Sequence, residues 1–219
     1  MKKLTLSIFA WLVFFGLNAQ EVKDTTFWKR KGDFTLNFSQ VSFSNWAAGG
    51  KNSVSGVALY NYAANYLKDR LAWDNSLNLG YGLLKEGSAQ MIKSEDKMEF
   101  SSKAGYKMAP GSKWFYTGLF NFRSQFANGY KYPNTTDKIS ALFAPAYLTL
   151  ALGIDFKPSD TFSVFLSPLG SKFTFVLDDD LSSIGAFGVE QNKKFRAELG
   201  GTLKSELKLP LMTNVDMVT

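Results

Sequence analysis

The sequence predicts an all-β chain: an antiparallel up-and-down β-barrel of outer-membrane type with about eight complete strands. Three observations predict it. Apolar side chains alternate with polar or small ones at period two over most of the chain. The alternating runs exceed the usual globular strand of about 5 to 6 residues and reach the roughly 9 to 11 that a membrane strand needs. Short turns also alternate with longer polar loops along the chain.

The chain opens on Lys2 and Lys3, followed by an apolar run from 4 to 17 and then small Ala19 before Gln20. A charged start, a short apolar stretch and a small-residue cleavage site form a secretory signal peptide, read as residues 1–19. The run is short for a membrane-spanning helix of about 20 apolar residues, and no later stretch comes close. Residues 20–32 are read as a periplasmic N-terminal segment and 33–219 as one β-barrel domain.

Strands are expected at 33–43, 53–67, 71–81, 97–108, 114–127, 139–156, 160–177 and 195–209, with a last one opening near Asn214. In 97–108, Met98, Phe100, Ala104 and Tyr106 alternate against Lys97, Glu99, Lys103 and Lys107. In 71–81, Leu71, Trp73, Leu77, Leu79 and Tyr81 alternate against Ala72, Asp74, Ser76, Asn78 and Gly80. In 195–209, Phe195, Ala197, Leu199, Leu203, Leu207 and Leu209 alternate against Arg196, Glu198, Lys204, Glu206 and Lys208. The final residues, 216–219, read as a strand cut in the middle, so further strands are expected to follow.

Short turns fall at 68–70, 109–112, 157–159 and 210–213, and long polar loops at 85–94, 128–138 and 178–193. With the N-terminus in the periplasm, every long loop lies outside the cell and every short turn inside the periplasm. Tyr60, Tyr62, Tyr66, Trp73, Tyr81, Trp114, Tyr116, Phe120, Phe122 and Phe126 share one parity of their strands, many near strand ends, where amphipathic rings suit a membrane interface. A soluble sandwich also alternates and buries aromatics, so the alternative is a soluble periplasmic β-barrel or sandwich that binds an apolar or sugar ligand.

Composition narrows the chemistry. The chain has no His and no Cys. Absence of His removes the usual base of serine and cysteine hydrolysis and the commonest zinc ligand, so no enzyme activity, metal or cofactor is expected. The 25 Lys and Arg against 19 Asp and Glu leave +6, or +4 with Lys2 and Lys3 set aside. These charges are scattered along strands and turns and form no stripe, which excludes nucleic acid as a partner. The expected partners are outer-membrane lipid and, through the outer loops, another envelope protein.

Three groups of residues are candidates for function. In FSQVSFSNWAAGG the alternation slips near Ser39 and Gln40, which is read as a β-bulge. Every residue there suits a structural corner, with Asn45, Gly49 and Gly50 making the turn and Trp46 in the interface belt; the other reading makes Gln40, Asn45 and Trp46 contacts for a polar or sugar molecule. The charges Lys97, Glu99, Lys103, Lys107, Arg123, Arg196, Glu198, Lys204, Glu206 and Lys208 fall on the polar parity and are read as lumen-facing. Their mixed signs favour a cross-strand ladder that fills a narrow barrel over an open channel. Asp178, Asp179 and Asp180 lack the spacing of a calcium loop and are read as solvated. GAFGV, 185–189, reads as a turn in the longest outer loop, with Phe187 either offered to a partner or folded back into the barrel mouth.

The run FSQVSFSNWAAGG resembles the signature of an uncharacterised Bacteroidetes-type family of secreted proteins known only as a domain of unknown function. FLSPLGSKFTFV (165–176), GAFGV and AELGGTL (197–203) resemble it too. The resemblance implies an envelope β-barrel-like protein and carries no mechanism or functional residue.

Overall fold

In the computed structural model, which describes residues 26–44, 50–159, 161–212 and 215–218, period-two segments pair into a single meander. β1 (Trp28–Val41), β2 (Ser53–Lys68), β3 (Leu71–Glu86), β4 (Ile92–Lys107) and β5 (Trp114–Ser124) follow in order. A small hairpin, β6 (Gly129–Tyr130) and β7 (Lys138–Ser140), precedes β8 (Ala146–Phe156), β9 (Phe162–Phe175), β10 (Phe195–Met212) and β11 (Val215–Val218). The main sheet has nine antiparallel strands in the order β1-β2-β3-β4-β5-β8-β9-β10-β11. Every neighbour in it is also the next main-sheet strand along the chain, as an up-and-down topology requires.

Most strands begin or end where local chemistry allows. Asp69, with φ 53°, turns β2 into β3, and Gly111, with φ 76°, sits in the turn from β4 to β5. The long expected strand 139–156 divides in two. Ala141 and Ala144 exchange backbone hydrogen bonds of 2.7 and 2.9 Å across a tight reversal, and Pro145, which has no N–H for a ladder, follows at once. β1 starts at Trp28, ahead of the expected boundary, because Trp28, Lys29 and Arg30 pair with Tyr66, Asn65 and Ala64. The expected slip at Ser39 and Gln40 is absent: β1 and β2 pair in unbroken register to Val41 opposite Ser53. The phase of the apolar residues changes there without a bulge, so Val41 falls on the otherwise polar parity.

Bulges lie elsewhere, at Gly82/Leu83, Leu152/Ile154 and Gly200/Thr202. The last two sit on neighbouring strands either side of β9 and bring backbones close together. A Cβ on Gly153 would lie 2.1 Å from the Leu166 carbonyl oxygen. Extra local twist at such points curls a sheet. The curl brings Lys157, after β8, to Asp74 on β3, three places away in the sheet, with Nζ to Oδ2 at 3.0 Å. Among the described residues no ladder joins β1 to β10 or β11, so the sheet is a curled wall whose two edges are not paired to each other.

The two faces differ in kind. The convex face carries Phe34, Leu36, Phe38, Leu152, Leu166, Leu169, Leu199 and Leu203, all exposed; Leu199 is 87% exposed and Leu203 71%. The concave face carries the charges and small polar residues. Aromatic rings gather at the ends of the convex face. At the short-turn end Trp28 lies 5.1 Å from Tyr66 and 5.7 Å from Trp73, and Trp114 lies 4.4 Å from Phe156, centroid to centroid. At the long-loop end Phe195 stacks on Phe173 at 5.7 Å and leans on Phe175 at 5.2 Å. Along β5, Trp114 and Phe122 are eight residues apart, roughly 26 Å at strand rise, or about 20 Å in depth if tilted by some 40°.

The long-loop end is capped by packed loops. Ala141, Ala144, Val176, Leu181 and Val189 form a small buried cluster there. It joins the β7 to β8 reversal to the loop after β9, which holds the short helix α1 (Asp179–Ser183) and a 3-10 turn, Ala186–Gly188. Among the described residues no helix is long and apolar enough to cross a membrane.

Candidate functional site in the lumen

Strand register decides which charges meet on the concave face. Lys103 on β4 pairs opposite Leu119 on β5, which pairs opposite Ala151 on β8. Asp155 lies four residues along β8, on the same face. The long Lys103 side chain reaches over β5, and its Nζ lies 2.6 Å from Asp155 Oδ2. This ammonium also sits 5.5 Å from the Phe165 ring on β9, and Lys107 lies 5.9 Å from the Phe115 ring. Phe165 is 1% exposed, and the Asp155 side chain 4%. Two lysine stems, two phenyl rings and a carboxylate thus pack together on the concave face towards the short-turn ends of β4, β5, β8 and β9. A buried pair of this kind has a large desolvation cost that its mutual attraction and hydrogen bonds must offset. Thr117 Oγ1 and Asp155 Oδ1 have no hydrogen-bond partner there among the described residues.

Towards the short-turn end the lumen opens into a polar cavity of about 380 Å³. One wall comes from β2, β3 and β4, with Asn65, Asp74, Ser76 and Ser101. The other comes from the start of β9 and from β10, with Ser163, Lys204 and Glu206. Lys103 and Lys157 also line it, and Lys157 is bound to Asp74.

Towards the long-loop end the cap is held by charge. Lys138 Nζ contacts Asp178 Oδ2 at 2.5 Å and Asp180 Oδ2 at 2.8 Å. Asp178 is also the N-cap of α1, accepting a bond from the Leu181 N–H at 3.2 Å. The hydrogen bond from Lys138 holds the Asp178 carboxyl below the ordinary carboxylate range. The two aspartates in turn push the Lys138 ammonium well above the usual lysine value. A second buried pair anchors the loop after β5. Lys93 Nζ lies 2.6 Å from Asp96, whose carboxylate accepts from the Phe126 and Ala127 N–H groups at 2.7 and 3.0 Å.

Of the charges named from sequence, those from Lys97 to Glu206 fall on the concave parity of their strands, and their pairings follow a pattern of their own. Lys97 and Glu99 pair along one strand at 3.0 Å, and Asn121 donates to Glu99 at 3.3 Å. Arg196 and Glu198 likewise pair along β10 at 2.7 Å, and Arg196 donates to the Gly188 carbonyl at 3.0 Å. Arg123 stands opposite Glu99 in register. Lys204 and Glu206 line the polar cavity. The backbone of Lys208 continues β10, while its side chain lies outside the described residues. Gln40 pairs opposite Val54 on the convex parity, in line with Phe34, Leu36 and Phe38. Asn45, Trp46 and Gly49 lie outside the described residues, as do 1–25. Gly50 has φ 142°, and the Phe43 ring would sit 3.0 Å from a Cβ there. The Phe43 N–H donates to Asn52 Oδ1 at 2.7 Å, which clips this corner shut.

Sequence reasoning missed Asp155, Asp74, Lys157, Lys93 and Asp96 as partners. Asp155 carried a signal: in LGIDF it shares the parity of Gly153 and Ala151, so a lone acid stood on the concave face of β8. Asp178 was read as solvated and is instead a helix cap bound to a lysine, because α1 brings its carboxylate to β7.

Residues 38–130 match the model of the family described as "Protein of unknown function (DUF3078)". The match runs from the end of β1 to β6. It takes in Lys97, Glu99, Lys103, Lys107 and Arg123 and stops short of Asp155, Phe165 and the whole of β10. No curated protein and no solved structure matches the chain.

Proposed function

We propose that this chain is an outer-membrane β-protein of a Gram-negative envelope, exported by a cleaved signal peptide. In this reading its convex face meets lipid, its short turns face the periplasm and its capped loops face outward. The observation that carries the proposal is the convex face itself. Large apolar side chains are exposed on β1, β8, β9 and β10, and no second layer of structure covers them among the described residues. Monomeric soluble proteins rarely expose contiguous apolar surface above a few hundred Å². The aromatic rows at both ends of that face suit the two interfaces of a bilayer.

The role is passive: a structural barrel, or the membrane part of an envelope assembly, with no enzymatic step. The Lys103, Asp155 and Phe165 layer argues for a filled lumen over a conducting one. Exposed Ile184 and Phe187 in the cap offer apolar contacts to another envelope protein. Fractionation of the envelope, followed by a heat-modifiability gel in detergent, tests the reading. The expected result is recovery with the outer membrane and a band that shifts on boiling. Release into the soluble periplasm would refute it.

A further inference from the structure

We infer that the polar cavity at the short-turn end is a binding site for a small hydroxylated anion, of the sugar-acid class. The site deepens the barrel reading but rests on the curl of the sheet, and it would bind in a soluble protein of the same fold as well. The argument starts from shape. The cavity, about 380 Å³, lies at the small end of the range for ligand sites and has room for a monosaccharide-sized molecule. Lys103, held by its buried pair with Asp155, forms part of its wall.

Charge then selects the solute. Three ammonium groups reach this cavity, and two are engaged: Lys103 with Asp155 and Lys157 with Asp74. Lys204 has no carboxylate within 4.0 Å among the described residues, so it is the cation on the cavity wall left for an incoming anion. The remaining walls supply hydroxyl and amide groups, with Ser76, Ser101, Ser163 and Asn65 on facing strands, beside the Glu206 carboxylate, two residues from Lys204 along β10. Such groups suit a ligand rich in hydroxyls, which both donate and accept. An apolar ligand would leave them unpaired, and a cation would meet Lys204.

Gluconate, with neutral glucose as comparison, tests the site by calorimetric titration of the folded protein in detergent. Gluconate is expected to bind saturably and at least about tenfold more tightly than glucose. Lys204→Gln is expected to weaken gluconate about tenfold, the scale of one charge-assisted hydrogen bond. Lys85→Gln, at the long-loop end of β3 and outside the cavity lining, is expected to leave binding unchanged. Because Lys204 and Lys85 are both exposed, the two variants should retain the heat-shifted band. No saturable gluconate binding, equal affinity for glucose, or full affinity in Lys204→Gln would overturn the inference. Recovery of the protein from the periplasm would refute the membrane reading and leave this titration in force.

Discussion

Placing a lysine at Leu203 separates a lipid-facing wall from a surface in water. Leu203 lies on the convex parity of β10, opposite Leu166, and is 71% exposed. The convex residues of this strand run from Phe195 to Leu207, so their centre falls at Gly201. Leu203 is two residues from that centre, roughly 6.6 Å along the strand and about 5 Å in depth at a tilt near 40°. Within an apolar band about 25 Å tall, this position is close to the midplane, where Lys costs about 2 to 4 kcal/mol. If the same face met water, an exposed Leu→Lys change would fall within about 0.5 kcal/mol. The two readings therefore differ severalfold in one number. The assay is urea unfolding of Leu203→Lys and Leu203→Ala in lipid vesicles, with the heat-shifted band as the folded readout. Loss of about 2 kcal/mol or more for Lys beyond Ala supports lipid contact. A Lys variant within about 0.5 kcal/mol of the parent, at an unchanged urea slope, would refute the reasoning.

Other perturbations address the lumen and the cap. Asp155→Ala leaves the Lys103 ammonium buried without its partner and is expected to cost about 3 to 5 kcal/mol in urea unfolding. The pair Lys103→Met with Asp155→Ala should regain most of that loss, and a double variant as unstable as the single one would sink the pairing argument. Gly153→Ala drives a methyl into the Leu166 carbonyl oxygen and is expected to cost about 3 kcal/mol, read as a lost heat-shifted band at temperatures the parent withstands. The cap should respond to acid. Asp178 has a lowered folded-state pKa, so its contribution is present above the ordinary carboxylate value of about 3.9 and is lost as pH falls below it. Lys138 has a raised one, so its contribution holds below about 10.4 and declines only above that. Hydrogen exchange at the Leu181 amide, corrected for intrinsic rate, should show constant protection from about pH 5 to 9 and a drop below about pH 4. Asp178→Asn should show weak protection throughout, and protection equal to the parent's would count against the cap.

Much of the fold was legible because a strand writes its two faces into the chain at period two. The run from Phe195 to Leu207 gave β10 and its apolar side without reference to any other strand, and the lengths of the loops gave the order of a meander. Other features depend on what the curled sheet brings together. Lys157 and Asp74 lie 83 residues apart in sequence, and their contact exists because the two intervening strands, β4 and β5, bend the wall round. Lys103 looked like any of ten concave charges until the register of β4, β5 and β8 set Asp155 within its reach. The slip at Ser39 and Gln40 misled because hydrophobic phase is a property of side chains, whereas a bulge is a property of the ladder, which runs unbroken there. By itself, then, the sequence determined the all-β class, the strand faces and the two unlike ends, since these follow from each residue's own parity and its neighbours in the chain. Only the tertiary structure decided which charges pair, where the lumen is filled and where it opens, because those depend on curvature and register summed over strands far apart in sequence.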